Sequence, residues 1–306
     1  MAVLSSEIQS LNEINYKSKV KVLLLIFLCV ILFVFSFISF YPIGEKIKSI
    51  IKSGLNGRGC NPDFDEMHME WIMPKIIVSN LVIPANCLER SGPPLKFNHL
   101  TINYNLINFA PFGLPFKVET EFQGQPLSIY YVAGIGSQMI RIKDQTLGLA
   151  RIQPLLGENF KLSGNVTIDM TFAMSKNSMS AFNLKAQSKD LQIPTQNIQG
   201  FSTPPMKLND FYLEAFSETG SRVKVEKLIM GDISSPMRAN FKGNINLQDG
   251  NISMSPIDLQ GEIAFTESFR NSLPLIDMLF QSFNQKDGFY QIRLGGTLGS
   301  PKPIAP

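Results

Sequence analysis

The sequence predicts a mainly β protein, with a curved, largely antiparallel β-sheet, one or two short helices, and one N-terminal transmembrane helix. Three observations support this prediction. Apolar and polar residues alternate along several segments, an uncharged apolar run lies near the N-terminus, and no recognisable catalytic motif is present. Together they indicate a membrane-anchored chain whose strands each bury one face.

The apolar run VLLLIFLCVILFVFSFISFY occupies residues 22–41 and contains no charged residue. At about 1.5 Å per residue, a helix of this run spans roughly 30 Å, the thickness of the hydrocarbon core of a bilayer. A cleaved signal peptide, the alternative, has an apolar stretch of about 7–15 residues followed by a small-residue cleavage site. The length of the run and its bulky SFISFYP ending favour an uncleaved transmembrane helix.

The segments that flank this helix are short. We expect residues 1–21 to be a cytoplasmic tail and residues 42–55 to be a stem with isoleucines at helical spacing and lysines between them. The stem is either a basic amphipathic helix on the membrane surface or a plain connection packed on the next domain. Lysines occur on both sides of the apolar run, so the positive-inside rule barely discriminates the orientation. Residues 56–306 form the predicted β-rich domain.

The cysteines suggest a compartment. Cys29 lies in the apolar run, whereas Cys60 and Cys87 both follow it. Such a pair predicts one disulfide in an oxidising compartment, and the alternative is two buried thiols on the cytoplasmic side. The disulfide would stabilise the fold by about 3–4 kcal/mol by closing a loop in the unfolded chain. We therefore expect the C-terminal domain to lie outside the cytoplasm, in the periplasm if the source is a diderm bacterium.

Alternation with a period of two is clearest in KLSGNVTIDMTF, residues 161–172. Successive side chains of a strand point to opposite faces, so this segment has one apolar and one polar face. The same pattern occurs in four further segments: residues 116–124, 237–248, 257–265 and 289–298. Strands of this length separated by turns predict a largely antiparallel sheet.

Four of the alternating segments share the pattern apolar-x-Gly-x-apolar, namely residues 162–166, 241–245, 259–263 and 294–298. Glycine inside a strand permits a bulge, a bend or a close backbone approach. Its repeated use predicts a sheet that curves over its own apolar face. That face is either a closed core or an open groove, and its candidate residues are Val166, Ile168, Phe241, Ile245, Leu259 and Ile263.

Two segments have helical rather than strand periodicity. Residues 268–283, SFRNSLPLIDMLFQSF, carry the apolar stripe of a helix that lies against a sheet. Ser272 is a candidate cap of this helix and Pro274 is near its first turn. Residues 146–157, TLGLARIQPLLG, predict a second short helix.

Chemistry-bearing motifs are sparse in this sequence. The net charge is +3 with scattered basic residues, which argues against a nucleic-acid partner. Only two histidines occur; His68 has Glu70 nearby but no third ligand for a metal. Nucleophile-elbow and phosphate-loop motifs are also missing. We therefore expect no enzyme activity and no cofactor, which leaves an interaction protein of a membrane assembly or a lipid carrier.

The order of the parts carries a resemblance. The membrane helix ending in FYP is followed by LSGNVTIDMTF, by the block MRANFKGNINLQDGNISMSPIDLQGEI, by a Leu/Phe-rich helix and by the terminal phrase GFYQIRLGGTLGSPKP. This order resembles the bacterial type II secretion system protein N family from about residue 22 to the end. Residues 288–301 are the most specific part of the resemblance.

The resemblance implies a non-catalytic, single-pass protein of the bacterial inner membrane, with most of its chain in the periplasm. Its role would be that of a scaffold or adaptor in protein secretion. Its partners would be other type II secretion subunits, either of the inner-membrane platform or the secretin. The architecture is also similar to AsmA-like and other bridge-type lipid-transfer proteins. The alternative expectation is therefore a protein that binds or transfers membrane lipids in an apolar β-sheet groove.

Overall fold

The computed structural model describes residues 27–30, 32–33, 62–70, 75–88, 94–104, 113–134, 136–156, 161–176, 178–198, 201–217, 220–248, 252–273 and 275–304. The chain divides into two compact units, residues 1–54 and residues 55–306. Each unit has its own contacts, and the strands all belong to the second unit.

The described residues of the first unit are helical and carry exposed apolar side chains, among them Phe27 and Phe33. Among the residues that the structure describes, no helix is both long and apolar enough to cross a membrane. The predicted transmembrane helix 22–41 falls largely outside these residues. The predicted tail 1–21 and stem 42–55 lie entirely outside them.

The second unit consists mainly of strands. Their bounds are β1 Glu66–Glu70, β2 Lys75–Ile83, β3 Leu95–Tyr104, β4 Gly113–Phe122, β5 Gln125–Gly134, β6 Ser137–Gly148, β7 Asn165–Ser175, β8 Ser178–Ile193, β9 Gln196–Ile198, β10 Phe201–Thr203, β11 Met206–Ser217, β12 Arg222–Met230, β13 Met237–Asn246, β14 Ile257–Phe265, β15 Gln285–Lys286, β16 Phe289–Thr297 and β17 Ser300–Ile304. The prediction of a mainly β protein is confirmed.

Fifteen of these strands form one sheet in which nearly every strand pairs with its neighbour in sequence. The order runs from β1 to β8 without a crossover, continues through β11, β12, β13 and β14 to β16, and ends at β15. Strand β17 also pairs with β16, while β9 and β10 form a separate hairpin. All pairs are antiparallel, as the alternating segments predicted.

Strand β13 shows how the sequence pattern becomes a two-faced sheet. Ala239 and Phe241 are buried, whereas the intervening Asn240 and the following Lys242 are exposed. The alternation of the sequence is thus reproduced as an alternation of burial, because side chains with period two point to opposite faces. We call the two sides of the sheet the apolar face and the polar face.

Two clusters of buried residues lie on the apolar face. The first consists of Leu95, Phe122, Leu147, Leu149, Ile152, Val166, Ala186, Leu191, Ile193 and Leu208. The second consists of Met179, Ala215, Val223, Val225, Ala239, Phe241, Leu259, Ile263, Tyr290 and Ile292. Burial of these side chains is the main stabilising contribution, at about 25 cal/mol for each Å² of apolar surface removed from water.

The helices are short. Helix Leu149–Leu156 confirms the helix predicted for residues 146–157, and it places Leu149 and Ile152 in the first buried cluster. Two single-turn 3-10 helices occupy Ala85–Leu88 and Ile252–Met254.

The predicted helix 268–283 is instead two helices, Glu267–Ser272 and Leu275–Phe280. The first helix is capped by Thr266, whose side chain accepts from the amide of Phe269. Ser272, the predicted cap, is the last residue of this first helix, and its hydroxyl donates to the carbonyl of Phe269. Proline has no N–H and disfavours helix in the residue before it, which is consistent with the break near position 274.

The turn between β12 and β13 is held by one carboxylate. Asp232 Oδ1 accepts from the backbone and hydroxyl of Ser234, and Asp232 also accepts from the side-chain amide of Asn209 in β11. The Ser235 hydroxyl lies 2.8 Å from the same carboxylate. These donors, with the Ser234 hydroxyl foremost, lower the pKa of Asp232 to about 2. The turn is therefore fixed while this carboxylate is charged.

Two glycines of the predicted repeat permit a close backbone approach between neighbouring strands. A Cβ on Gly243 of β13 would overlap the carbonyl oxygen of Asp258 and lie 2.8 Å from the Cα of Leu259. A Cβ on Gly261 of β14 would overlap the carbonyl oxygen of Asn240. Because Gly243 pairs with Leu259 and Phe241 pairs with Gly261, both positions belong to one ladder. Only glycine allows these two strands to approach so closely.

Replacing Gly243 with alanine tests this close approach. Gly136, whose φ is also positive at 70° but whose Cβ would meet nothing within 4 Å, provides the matched control. We expect Gly136→Ala to cost about 1 kcal/mol through backbone strain alone, and Gly243→Ala to cost about 3 kcal/mol because the Cβ also overlaps the next strand. Thermal unfolding of the purified chain measures both. Equal losses would show that the β13–β14 ladder has room for a side chain.

Candidate functional site

The strongest candidate site is a part of the apolar face between β3 and β8. One row of paired positions crosses these six strands in register. From β3 to β8 it consists of Tyr104, Phe116, Tyr131, Ile140, Phe172 and Phe182. The row contains five aromatic side chains, one isoleucine and no charged residue.

Further rows lie beside this one and are also apolar. Ile102, Val118 and Ile129 pair across β3, β4 and β5. Ile142, Met170 and Leu184 pair across β6, β7 and β8. We define the open face as the ten residues of these rows that belong to neither buried cluster: Ile102, Tyr104, Phe116, Val118, Ile129, Tyr131, Ile140, Ile142, Met170 and Leu184.

Every residue of the open face is partly exposed. This distinguishes it from the buried clusters, in which Phe241, for example, is 2% exposed. Three of its aromatic rings form a continuous series: the centroids of Tyr104 and Phe116 are 5.5 Å apart, and those of Phe116 and Tyr131 are 6.3 Å apart. Contiguous exposed apolar surface of this kind marks a ligand-binding groove or an interaction site in soluble domains.

The opposite, polar face has the character of a surface in contact with water. It carries cross-strand and same-strand ion pairs such as Lys117–Glu119 and Arg293–Asp258. Two of its aromatic rings lie beside cations: the Lys117 ammonium lies 5.9 Å from the ring centroid of Tyr130, and the Arg238 guanidinium lies over Phe289. Such exposed pairs contribute little stability, but they show which face is hydrated.

A three-residue network on the polar face illustrates the electrostatics. Glu214 accepts from Lys185 at 3.0 Å and from the Tyr212 hydroxyl at 2.8 Å. The hydrogen bond from Lys185 is the main reason that the pKa of Glu214 is lowered. The same carboxylate raises the pKa of both Lys185 and Tyr212, because it stabilises the protonated form of each.

A cavity of about 700 Å³ opens on this polar face and includes Thr167, Gln187 and Tyr212 in its lining. Four of its charged and amide side chains are paired with one another. Asn165 donates to Asp190 at 2.8 Å, and Lys189 pairs with Asp210 at 3.0 Å. The backbone amide of Asn165 is also the main reason that the pKa of Asp190 is lowered. These four groups already have partners within the protein.

Strands β5 and β6 are joined along only part of their length. Their paired residues run from Tyr130 with Arg141 to Gly134 with Ser137. Beyond this ladder, side chains replace the backbone bonds: Gln145 accepts from the amide of Ser128 at 2.9 Å and donates to the carbonyl of Pro126, and Gln125 accepts from the amide of Gly148. These glutamines satisfy strand groups that are otherwise unpaired at the border of the open face.

Neither histidine belongs to a metal site formed by described residues. His68 is exposed on β1, and the His99 ring lies 2.9 Å from the Thr101 hydroxyl. Across the described part of the chain, no group of three or more His, Cys, Asp or Glu side chains could hold a metal ion.

The candidate face residues of the sequence are distributed over both clusters. Val166 is buried in the first cluster, and Ile168 packs against it. Phe241, Leu259 and Ile263 are buried in the second cluster, and Ile245 packs against that one. All six thus lie on the apolar face, but none belongs to the open face.

Of the cysteines, Cys87 is disulfide-bonded and Cys29 is free. Cys60, the predicted partner of Cys87, lies outside the described residues.

The open face was not identified from the sequence as a site. Phe116 and Val118 stand on the apolar side of a predicted strand, but their neighbours in space come from other strands. The signal that would have found them is the register of successive hairpins, which places Tyr104, Phe116 and Tyr131 side by side. Alternation within one strand does not contain this register.

Comparisons with known proteins identify no relative: no protein-family model, no curated protein and no solved structure matches this chain.

A pair of tryptophan substitutions tests whether the open face is open. Val166 is buried, so Val166→Trp overpacks the first cluster and should cost about 1–3 kcal/mol. Ile140 is partly exposed, so Ile140→Trp should leave the melting temperature nearly unchanged. Thermal unfolding of both variants provides the comparison. A similar loss for Ile140→Trp would show that the face is closed.

Proposed function

We propose that this protein binds the acyl chains of lipids on the open face of its sheet. The observation that supports the proposal is the contiguous row of partly exposed apolar side chains from β3 to β8, which carries no charged residue. The proposal includes the finer architecture expected from the sequence, in which the sheet curves around this face as a groove.

The dimensions of the open face suit an acyl chain. Adjacent strands lie about 4.8 Å apart, so the row across six strands extends for roughly 24 Å. The hydrocarbon of one bilayer leaflet is about half of the roughly 30 Å core, or about 15 Å. An acyl chain lying across the strands would therefore remain in contact with apolar side chains along its whole length.

The energetics favour a flexible apolar ligand. Each methylene removed from water contributes about 0.8 kcal/mol, without any requirement for a directional partner. Residues such as Met170 and Phe116 adapt to such a ligand, because methionine is flexible and aromatic rings present broad apolar surfaces. The absence of charge from the rows supports a site for the lipid tail, with its headgroup outside the rows.

The proposed location is the bacterial inner membrane, with one transmembrane helix and the β domain in the periplasm. The uncharged run 22–41 supports the anchor. The disulfide-bonded state of Cys87 supports an oxidising compartment for the β domain. In this arrangement the open face belongs to a domain that is held close to the source of its ligand.

Photo-crosslinking tests the proposal directly. The full chain is placed in nanodiscs that contain a phospholipid with a diazirine near the end of one acyl chain. Illumination should label peptides that contain Phe116, Tyr131 and Ile140. Ile140→Glu should reduce the labelling severalfold, because it introduces a charge into the path of the acyl chain.

Arg141→Glu is the matched control, because Arg141 is the next residue of the same strand and is exposed on the polar face. It introduces the same carboxylate without touching the open face, and labelling should remain at the level of the unmodified chain. The proposal fails if labelling is confined to the apolar run 22–41, or if both variants reduce it equally.

The second proposal is the role implied by the sequence resemblance, a scaffold or adaptor in type II secretion. The terminal phrase that carries the resemblance, residues 288–301, forms β16 and the turn into β17 at one end of the sheet. An outer strand that keeps its backbone N–H and C=O groups, as β1 does at the other end of the sheet, is a place where a partner strand can add, which supports an adaptor role for this architecture.

The proteome of the culture fluid tests this second proposal, compared with and without the gene at matched growth. Selective loss of secreted enzymes, with their accumulation in the periplasm, is the expected result. An unchanged set of secreted proteins would contradict the secretion role and leave lipid binding as the remaining proposal.

A further inference from the structure

The outer strands of the large sheet differ in their capacity to accept another strand. One end carries the two-residue strand β15 and strand β17, both paired with β16, and β17 contains Pro301 and Pro303. Strand β1, at the other end, contains no proline and reads EMHME. An outer strand presents unpaired N–H and C=O groups, and proline removes an N–H donor wherever it occurs.

The two prolines of β17 occupy positions whose backbone groups point away from β16. Pro301 pairs with Gly296 and Pro303 pairs with Leu294, while Lys302 between them pairs with Gly295. In an antiparallel pair, alternate residues direct both backbone groups at the partner strand. Since proline cannot donate a backbone hydrogen bond, the ladder with β16 is formed by the residues that alternate with the prolines. The two outward positions of β17 between Ser300 and Ile304 are then both prolines without an N–H donor, and β17 cannot accept a further strand.

The outward edge of β1 has a complete set of backbone donors. The strand pairs with β2 along its whole length, from Glu66 with Ser79 to Glu70 with Lys75. Among the described strands, β2 is its sole partner. Its side chains alternate in exposure, with Met67 and Met69 half-buried and the other three exposed.

The side chains of β1 define what a neighbouring strand should carry. Met67 pairs with the buried Val78, so the methionines lie on the apolar face. Glu66, His68 and Glu70 therefore lie on the polar face. Directly opposed side chains of adjacent strands interact, and opposite charges are favourable there.

We propose that β1 is a docking edge for an extended segment of a partner protein that alternates basic and apolar residues. The basic side chains would lie opposite Glu66 and Glu70, and the apolar ones would continue the apolar face beside the methionines. This docking edge is separate from the open face and does not depend on lipid binding.

A second copy of this chain fits the edge poorly. Antiparallel pairing of two β1 strands about His68 would place Glu66 of each copy opposite Glu70 of the other, and like charges in directly opposed positions are destabilising. Pairing of β1 with β17 of another copy is prevented by Pro301 and Pro303. The charge pattern therefore selects a different, basic partner.

The test uses the full chain in nanodiscs of neutral phosphatidylcholine, which does not attract basic peptides by itself. The probe is the blocked heptapeptide Lys-Val-Lys-Val-Lys-Val-Lys. Two control peptides accompany it: one has glutamate in place of lysine, and the other keeps the lysines but has N-methylated amides along one edge. Binding is measured by fluorescence anisotropy, and amide hydrogen exchange locates the bound peptide.

The lysine peptide should bind and slow amide exchange in residues 66–70, whereas neither control peptide should do so. The double variant Glu66→Lys/Glu70→Lys should weaken binding of the lysine peptide roughly tenfold and favour the glutamate peptide, since both directly opposed cross-strand charge contacts change sign. Lys302→Glu on β17 should change neither affinity.

Three results would overturn the proposal. Equal binding of the N-methylated peptide would show simple charge attraction rather than strand addition. Slowed amide exchange in β17 instead of β1 would show that the peptide docks at the other end of the sheet. Self-association of the unmodified chain through residues 66–70 would show that the edge pairs with a second copy.

Discussion

The structure depends on one constraint, the antiparallel ladder that joins neighbouring strands of the sheet. It satisfies most of the backbone of the inner strands, and it forces alternate side chains onto opposite faces. Because the sequence keeps the same alternation from strand to strand, most apolar side chains of the sheet accumulate on one side. Phe241 and Lys242 show the separation within two residues. A single sheet of fifteen strands thus acquires one very large apolar face.

Other parts of the protein cover that face unevenly. The open face, which stays partly exposed, is the part that can bind a ligand. Its buried clusters, one with residues from β3 to β11 and the other with residues from β8 to β16, remove side chains from water, as for Val166 and Tyr290. On β4, β5 and β6, Phe116, Tyr131 and Ile140 stay partly exposed although they are as apolar as the buried residues. The polar face differs again, because the Tyr130 ring lies beside the Lys117 ammonium. Rings of the polar face therefore have charged neighbours, whereas those of the open face have apolar ones.

Alternation predicted the strands and their faces well, because the period of two is a local property of the sequence. β14 matches the predicted segment 257–265 at both ends, and helix Leu149–Leu156 lies where it was expected. The break at Leu273 and the cap at Thr266 were missed, because several polar residues there can serve as caps. The open face was missed for a different reason: it exists only after Tyr104, Phe116 and Tyr131 are brought together by strand register.

The near-sequential order of the strands has a consequence for how the chain folds. Almost every strand pairs with the one that precedes it, so loops to be closed are short and the ladder can form step by step. During synthesis from the N-terminus, each new strand can pair with the strand already formed before it. Up to β14, the growing end of the sheet is then the strand of the sheet that was made last. Growth ends at β17, where Pro301 and Pro303 leave the next strand no template.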